Sequence, residues 1–243
     1  MTVNPEPIGT QSPPESPPKH RKAYKGLAME GWIARWYSKN QAKSLEQYRS
    51  WAKMASTHIS EGARVLEVAP GPGYLSIELG KLERNYNITG LDVSKTFVEI
   101  ASEKAREAGL KQLVQFRQGD AAFMPLSDNS FDFIICTSAF KNFPEPVKVI
   151  DEMFRVLKGG GEAVIIDLRK DASIEAIDRY VDEMNLSWSD SLMTKFIFKH
   201  SLIKSAHAKS EFEDFAARSK FGKCEIVEEL LGLEVWFKKG ALE

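Results

Sequence analysis

Two cysteines and four histidines in 243 residues leave little material for covalent or metal staples. Cys136 and Cys224 stand far apart, and His20, His58, His200 and His207 show no zinc-ligand spacing, so a disulfide scaffold and a zinc module are excluded and no metal is expected. No apolar run approaches the ~20 residues that span a bilayer, and the first residues lack the apolar h-region of a Sec signal. A cytoplasmic protein with reduced thiols is therefore expected. An excess of either charge is missing too. The 33 Lys and Arg meet 34 Asp and Glu, for a net charge of −1. Such a chain has no bulk electrostatic reason to coat nucleic acid or an anionic membrane, and neither is expected as a partner. No internal repeat is visible. What remains is an ordinary globular balance, 43 % apolar and 28 % charged, at a length that suits one large domain.

Six of the eleven prolines fall before residue 19, among Ser, Thr, Gln and Glu, and the basic run Lys19-His-Arg-Lys22 follows. Residues 1–22 thus read as a disordered tail and 23–243 as a single domain. Within that domain, 23–60 read as a helical cap rich in aromatics. Trp32 with Trp36, and Ile33 with Tyr37, share helix faces at i,i+4, and packing against the main domain is expected for Trp32 and Trp51. Residues 61–171 alternate apolar strands with helices, which argues for a parallel, doubly wound sheet. Helix punctuation is explicit there: Ser94 can cap a helix that stops at Gly109, and Gly159-Gly-Gly161 should end the helix before the fifth strand. Residues 172–219 read as a helical insertion. Residues 220–243 hold two short alternating runs around Gly232, too close for a parallel crossover, hence an antiparallel hairpin.

In an open parallel sheet, ligands bind beyond the carboxyl ends of the strands, near the switch in strand order. The first such loop is Glu67-Val-Ala69-Pro70-Gly71-Pro-Gly73, where the glycines let backbone approach a ligand closely. The second ends in Asp92-Val93, an acid placed to accept from ribose hydroxyls. The third carries Asp120-Ala121, where a carboxylate can accept from an adenine amino group. Together they describe a ligand containing adenosine. A nicotinamide dinucleotide competes, but its fingerprint is imperfect here, and it explains neither Asp120 nor the terminal hairpin.

Val65-Leu-Glu67-Val-Ala-Pro-Gly71-Pro-Gly73, Gly90-Leu-Asp92-Val-Ser and Gly119-Asp120-Ala121 resemble the first three motifs of class I S-adenosylmethionine (SAM)-dependent methyltransferases. Phe131-Asp-Phe-Ile-Ile-Cys136 and Glu152-Met-Phe-Arg-Val-Leu-Lys158-Gly-Gly-Gly161 resemble the segments around the fourth strand. The likeness is strongest with the small-molecule enzymes of menaquinone and ubiquinone biosynthesis. It implies a Rossmann-like, seven-stranded, mostly parallel sheet with helices on both faces, and SAM as cofactor. It also implies that Gly71 and Gly73 back the methionyl-ribose side. Asp92 would hold the ribose, Asp120 and the Ala121 amide would read adenine, and Glu67 would orient the loop. Ala69 stands where the family usually has glycine, and the histidine pair that many relatives carry after the fourth strand is replaced by Thr137-Ser-Ala-Phe140-Lys141.

Methyl transfer by in-line displacement needs alignment and exclusion of water, and a general base only where the acceptor must lose a proton. Lys141, just past the fourth strand, and Tyr37 are the catalytic candidates. Phe140, Asp167, Arg169 and His200 are the candidates for the acceptor pocket, with an Asp167–Arg169 ion pair as the bland alternative. His200 and His207, seven apart, are expected on one helix face. An apolar small molecule is the expected acceptor, capped by an insertion containing Trp188, Met193, Phe196, Ile197 and Phe198. Two rivals stay open: a non-catalytic SAM-binding protein and an NAD(P)-dependent oxidoreductase.

Overall fold

A computed structural model describes residues 23–25, 29–183, 187–198 and 203–241. The expected tail and His200 lie outside the described residues. In chain order the elements are α1 (Gly31–Gln41), α2 (Leu45–Ser56), β1 (Arg64–Val68), α3 (Tyr74–Gly80), β2 (Asn87–Asp92) and α4 (Lys95–Glu107). Then come β3 (Val114–Gln118), β4 (Phe131–Thr137), α5 (Pro146–Val156) and β5 (Leu157–Leu168). The insertion holds α6 (Ile174–Glu183), α7 (Trp188–Ile197), a single turn α8 (Ile203–Ser205) and α9 (Lys209–Arg218), and β6 (Glu225–Glu228) and β7 (Gly232–Lys238) follow.

The seven strands form one sheet in the order β3-β2-β1-β4-β5-β7-β6. The first five are parallel, and β7 enters antiparallel between β5 and β6, with Ile165 opposite Val235. The central strands read Arg-Val-Leu-Glu-Val and Phe-Asp-Phe-Ile-Ile-Cys-Thr because both faces are covered. Leu66, Val68, Ile134 and Cys136 face one apolar cluster, while Val65, Phe133 and Ile135 face the other. Burial on both sides is what an alternating polar strand could not survive.

Local signals hold where they are strongest. Ser94 Oγ accepts from Phe97 N–H at 3.1 Å and caps α4, and Gly109 stops that helix at φ +74°. The glycine run after α5 behaves differently from expectation. α5 ends at Val156 and β5 starts at the next residue, running through the glycines. Phe131 pairs with Leu157 and Phe133 with Glu162, so Gly159–Gly161 are absorbed as an irregularity inside the strand, with Gly160 at φ +80°.

The N-terminal helices corrected one expectation. Trp51 packs against the core, but Trp32 is 77 % exposed and Trp36 63 %. α1 lies on α4 through its other face, burying Ala34 and Ser38 and setting Tyr37 edge-on to Phe97 at 5.8 Å. The insertion turns outward in the same way. Ile177 and Val181 of α6 pack with Ile203 and Leu231, whereas Trp188, Met193 and Phe196 of α7 face solvent rather than the sheet. No helix among the described residues is long and apolar enough to cross a membrane.

Candidate active site

The change of direction in strand order falls between β1 and β4, and the residues singled out in the sequence gather at the carboxyl ends of the strands on either side. Two non-glycine residues hold left-handed backbone at that edge, Ala69 after β1 (φ +55°) and Ser138 after β4 (φ +56°). Each such residue costs on the order of 1 kcal/mol, a strain that recurs at binding sites. Ala69 thus adopts the conformation for which glycine is the easier residue.

Asp92 ties the first two loops together. Its Oδ2 accepts from Gly71 N–H at 2.9 Å and its Oδ1 from Ser94 N–H at 2.8 Å. Burial pushes its carboxyl up to about 6, against the pull of those two donors. Beneath the loop, Glu67 is buried and accepts from Ser76 N–H at 2.9 Å and from Ser76 Oγ. Burial pushes Glu67 up to about 7. The two glycines have different reasons to be glycine. A Cβ on Gly73 would meet Ala101 Cβ and Phe116 Cζ at 2.7 Å, so packing demands it. A Cβ on Gly71 would meet nothing within 4 Å, so the space beside that turn is open to a ligand.

The Glu67 and Asp92 shifts have a consequence for stability. The folded protein holds protons on these groups that the unfolded chain releases at lower pH. Their contribution therefore falls as pH rises from about 4 to about 7. Glu67→Gln keeps the shape and an acceptor for Ser76 while removing the buried charge. It should stabilise the protein at pH 8 by up to roughly 3 kcal/mol and flatten the loss between pH 5 and pH 8. Urea unfolding at the two pH values measures this; identical slopes in parent and variant would mean that burial does not hold the proton.

Beyond β3, Asp120 Oδ1 accepts from Ala122 N–H at 2.9 Å, which turns the chain, and Ala121 is buried beside it. Val93 is 40 % exposed at the rim, and its carbonyl accepts from Gln118 Nε2. Thr137 is buried at the end of β4.

Residues on either side of 26–28, before α1, reach this edge. Lys25 N–H donates to Asn142 O at 2.8 Å, Met29 O accepts from Ser94 Oγ at 2.6 Å, and Glu30 accepts from Lys95 and Thr96 N–H at the start of α4. Burial, and then the charges of Tyr37, Asp92 and Asp167, raise the Tyr24 phenol. Burial likewise raises Tyr37, which shares the Asp92 and Asp167 fields. Both tyrosines therefore feel the carboxylates at the ends of β2 and β5. Sequence patterning missed Tyr24 and the Lys25 and Glu30 contacts; the latter two join residues 65 to 117 apart.

Lys141 does not stand free. Its Nζ donates to Asp167 Oδ1 at 2.9 Å and to Ser138 O at 2.7 Å, and its backbone N–H donates to Asp167 Oδ2 at 3.0 Å. Both side chains are nearly sealed from solvent, 10 % and 2 % exposed. An ammonium held by a buried carboxylate positions charge; it does not offer a lone pair as a base. The Asp167–Arg169 pair does not form. Arg169 instead bridges Asp171 at 2.8 Å and Glu228 at 2.7 Å, fastening β5 to the terminal hairpin. Phe140 is fully buried among Phe143, Phe212, Phe215 and His207 rather than standing open. His207 sits in a bridge with Arg169, not on a helix with His200 as expected. Burial pushes the Cys136 thiol far up, which removes it as a nucleophile.

The methyltransferase domain family profile matches residues 59–220. The chain belongs to that family. It is 35 % identical over 164 residues to the demethylmenaquinone methyltransferase of Deinococcus radiodurans, covering 65 % of this chain and 67 % of that one. It is 33 % identical over 141 residues to the enzyme of the same name from Oceanobacillus iheyensis, covering 57 % and 59 %. The chain thus spans about three fifths to two thirds of these relatives' length. A structure from Methanococcus maripaludis, described as a candidate SAM-dependent methyltransferase, superimposes at a TM-score of 0.68 over 90 % of this chain and 97 % of its own. At 22 % identity it establishes the fold alone. The class I methyltransferase fold and family read from the motifs are borne out, and the oxidoreductase alternative has no support.

Proposed function

We propose that this methyltransferase moves the methyl group of SAM to an apolar aromatic acceptor of the quinol class. The observation that carries the cofactor half is Asp92, locked by two loop amides at the switch point beside the open face of Gly71. Its remaining lone pairs suit the ribose hydroxyls, and Asp120 with the Ala121 amide suits the adenine edge. The residues present fit the group. Bound SAM would supply an electrophilic methyl on a sulfonium leaving group.

The chain's own part is alignment and exclusion of water. Lys25 and Met29, hydrogen-bonded to Asn142 and Ser94, hold the N-terminal residues against this edge, from which Tyr24 and Tyr37 would cover the site. The Lys141–Asp167 pair fixes the loop after β4, where the acceptor would lie. The acceptor class draws on the names of the two bacterial relatives. Calorimetry with SAM, its demethylated product and NAD tests the cofactor, and transfer of a labelled methyl to anaerobically reduced 2-prenyl-1,4-naphthoquinone tests the acceptor. Micromolar binding of the first two with no binding of NAD, and label in the quinol, is the expected result. Binding without transfer to that quinol or to other small phenols would turn the reading toward a non-catalytic SAM protein.

A further inference from the structure

His207 is a buried group that the site described so far leaves unused. It is 8 % exposed, and its Nε2 is buried with no hydrogen-bond partner among the described residues. A buried ring nitrogen without a partner is uncommon, and a bound molecule or an ordered water is the usual resolution. Its Nδ1 faces Glu211 Oε1 at 3.4 Å. The same carboxylate is fixed by Ala208 N–H at 2.9 Å and by Lys170 Nζ at 3.4 Å, and these donors hold it below the usual carboxylate range. Three phenyl rings meet the imidazole edge to face, with centroids at 6.1 Å (Phe140), 5.8 Å (Phe212) and 5.0 Å (Phe215). The ring also has a defined place. His207 O accepts from Lys170 N–H just past β5, and Phe140 immediately precedes Lys141, so the ring lies at the carboxyl edge where the acceptor is expected.

We propose that His207 and Glu211 form a proton-accepting dyad for an acceptor that carries an ionisable hydroxyl on an aromatic ring. The inference rests on the methyl-transfer reading above. Glu211 accepts a hydrogen bond from Nδ1–H, which fixes the tautomer and leaves the Nε2 lone pair free. The acceptor's O–H bond breaks, its proton passes to Nε2, and its electron pair stays on the conjugated oxygen. That charge raises the nucleophilicity of the oxygen and of the ring carbon beside it. The new bond to the methyl carbon forms as the methyl–sulfur bond breaks, and that pair returns to sulfur. Where the ring carbon attacks, it afterwards releases its own hydrogen as a proton and aromaticity returns. Phe140, Phe212 and Phe215 wall the imidazole itself and keep bulk water from it.

Among the described residues, the charged groups facing His207 are Glu211 from α9 and Lys170 and Arg169 from the end of β5. Arg169 is neutralised by Asp171 and Glu228, and the rings of Phe140, Phe212 and Phe215 carry no charge. The probe is 1,4-dihydroxynaphthalene under anaerobic conditions. In protein loaded with S-adenosylhomocysteine, adding the probe should shift the His207 Nε2 resonance in 15N NMR, assigned by its loss in His207→Gln. His207→Gln should bind SAM within twofold of the parent, lose kcat by about 100-fold or more, and lose the acidic limb of its pH profile. Glu211→Gln, at a half-exposed position, is the second variant should the first not fold. It should lower kcat by roughly tenfold and move the acidic limb to lower pH, because the imidazolium loses its counter-charge. Unchanged rates and limbs with SAM binding intact would overturn the dyad. So would variants that lose SAM binding in step with activity, which marks a structural role, or a parent protein that binds SAM yet neither binds nor methylates the probe. Failure of the parent to bind SAM at all sinks the methyl-transfer reading instead.

Discussion

Replacing Asp92 by alanine should weaken SAM binding by about 100-fold or more in calorimetry at pH 7.5, with the fold retained. Two effects add. The carboxylate is the acceptor proposed for the ribose hydroxyls, and hydrogen bonds to a charged group contribute about 1.5–3 kcal/mol each. It is also the clamp that joins the Gly71 turn to the start of α4, through Gly71 N–H and Ser94 N–H. Asp92→Asn separates the two. It preserves shape and one acceptor oxygen but turns the other position into a donor facing a backbone N–H, so a loss of intermediate size is expected. Because burial lifts Asp92 to about 6, the parent should also bind SAM more weakly at pH 5 than at pH 7.5. The protonated carboxyl accepts fewer hydrogen bonds and no longer offsets the sulfonium charge. A Kd unchanged in Asp92→Ala would move the ribose away from β2 and end this reading of the site.

The second large effect is on stability. Lys141→Met leaves the Asp167 carboxylate 2 % exposed with no cation beside it. Breaking one side of a buried pair costs about 3 kcal/mol or more. For a chain of this size that lowers the melting temperature by roughly 6–12 °C. The two backbone donors left to Asp167, Lys141 N–H and Leu168 N–H, keep the loss from being larger. Adding Asp167→Asn to Lys141→Met should restore most of the stability, since a neutral pair of similar volume carries no desolvated charge. The melting temperatures of the single and double variants measure this. If Lys141→Met melts with the parent, the ammonium is not paired in solution. Lys141 would then return as the catalytic candidate that the sequence made it.

The division between what the chain order showed and what folding added runs along residue separation. The sequence by itself determined the parallel core, the glycine- and acid-bearing loops at the strand ends and the terminal hairpin. Each is a local matter: unbroken apolar runs such as Phe131-Asp-Phe-Ile-Ile-Cys136, a glycine and proline turn after a strand, a serine cap, and a connection too short for a crossover. The tertiary structure alone decided which face of α1 is inward, because Trp32 and Trp36 on one side and Ile33 and Tyr37 on the other give both faces apolar residues. Only docking on α4 leaves the tryptophans outside. It alone chose Lys141 over Arg169 as the partner of Asp167, and Glu228 for Arg169, since side chains 26 and 59 residues apart carry no spacing signal. It alone placed His207 in a bridge with Arg169 and set it against Phe140, with one nitrogen unpaired among the described residues. Periodicity describes what a segment can bury against a neighbour; the identity of that neighbour is known only once distant strands have brought their carboxyl ends to one edge.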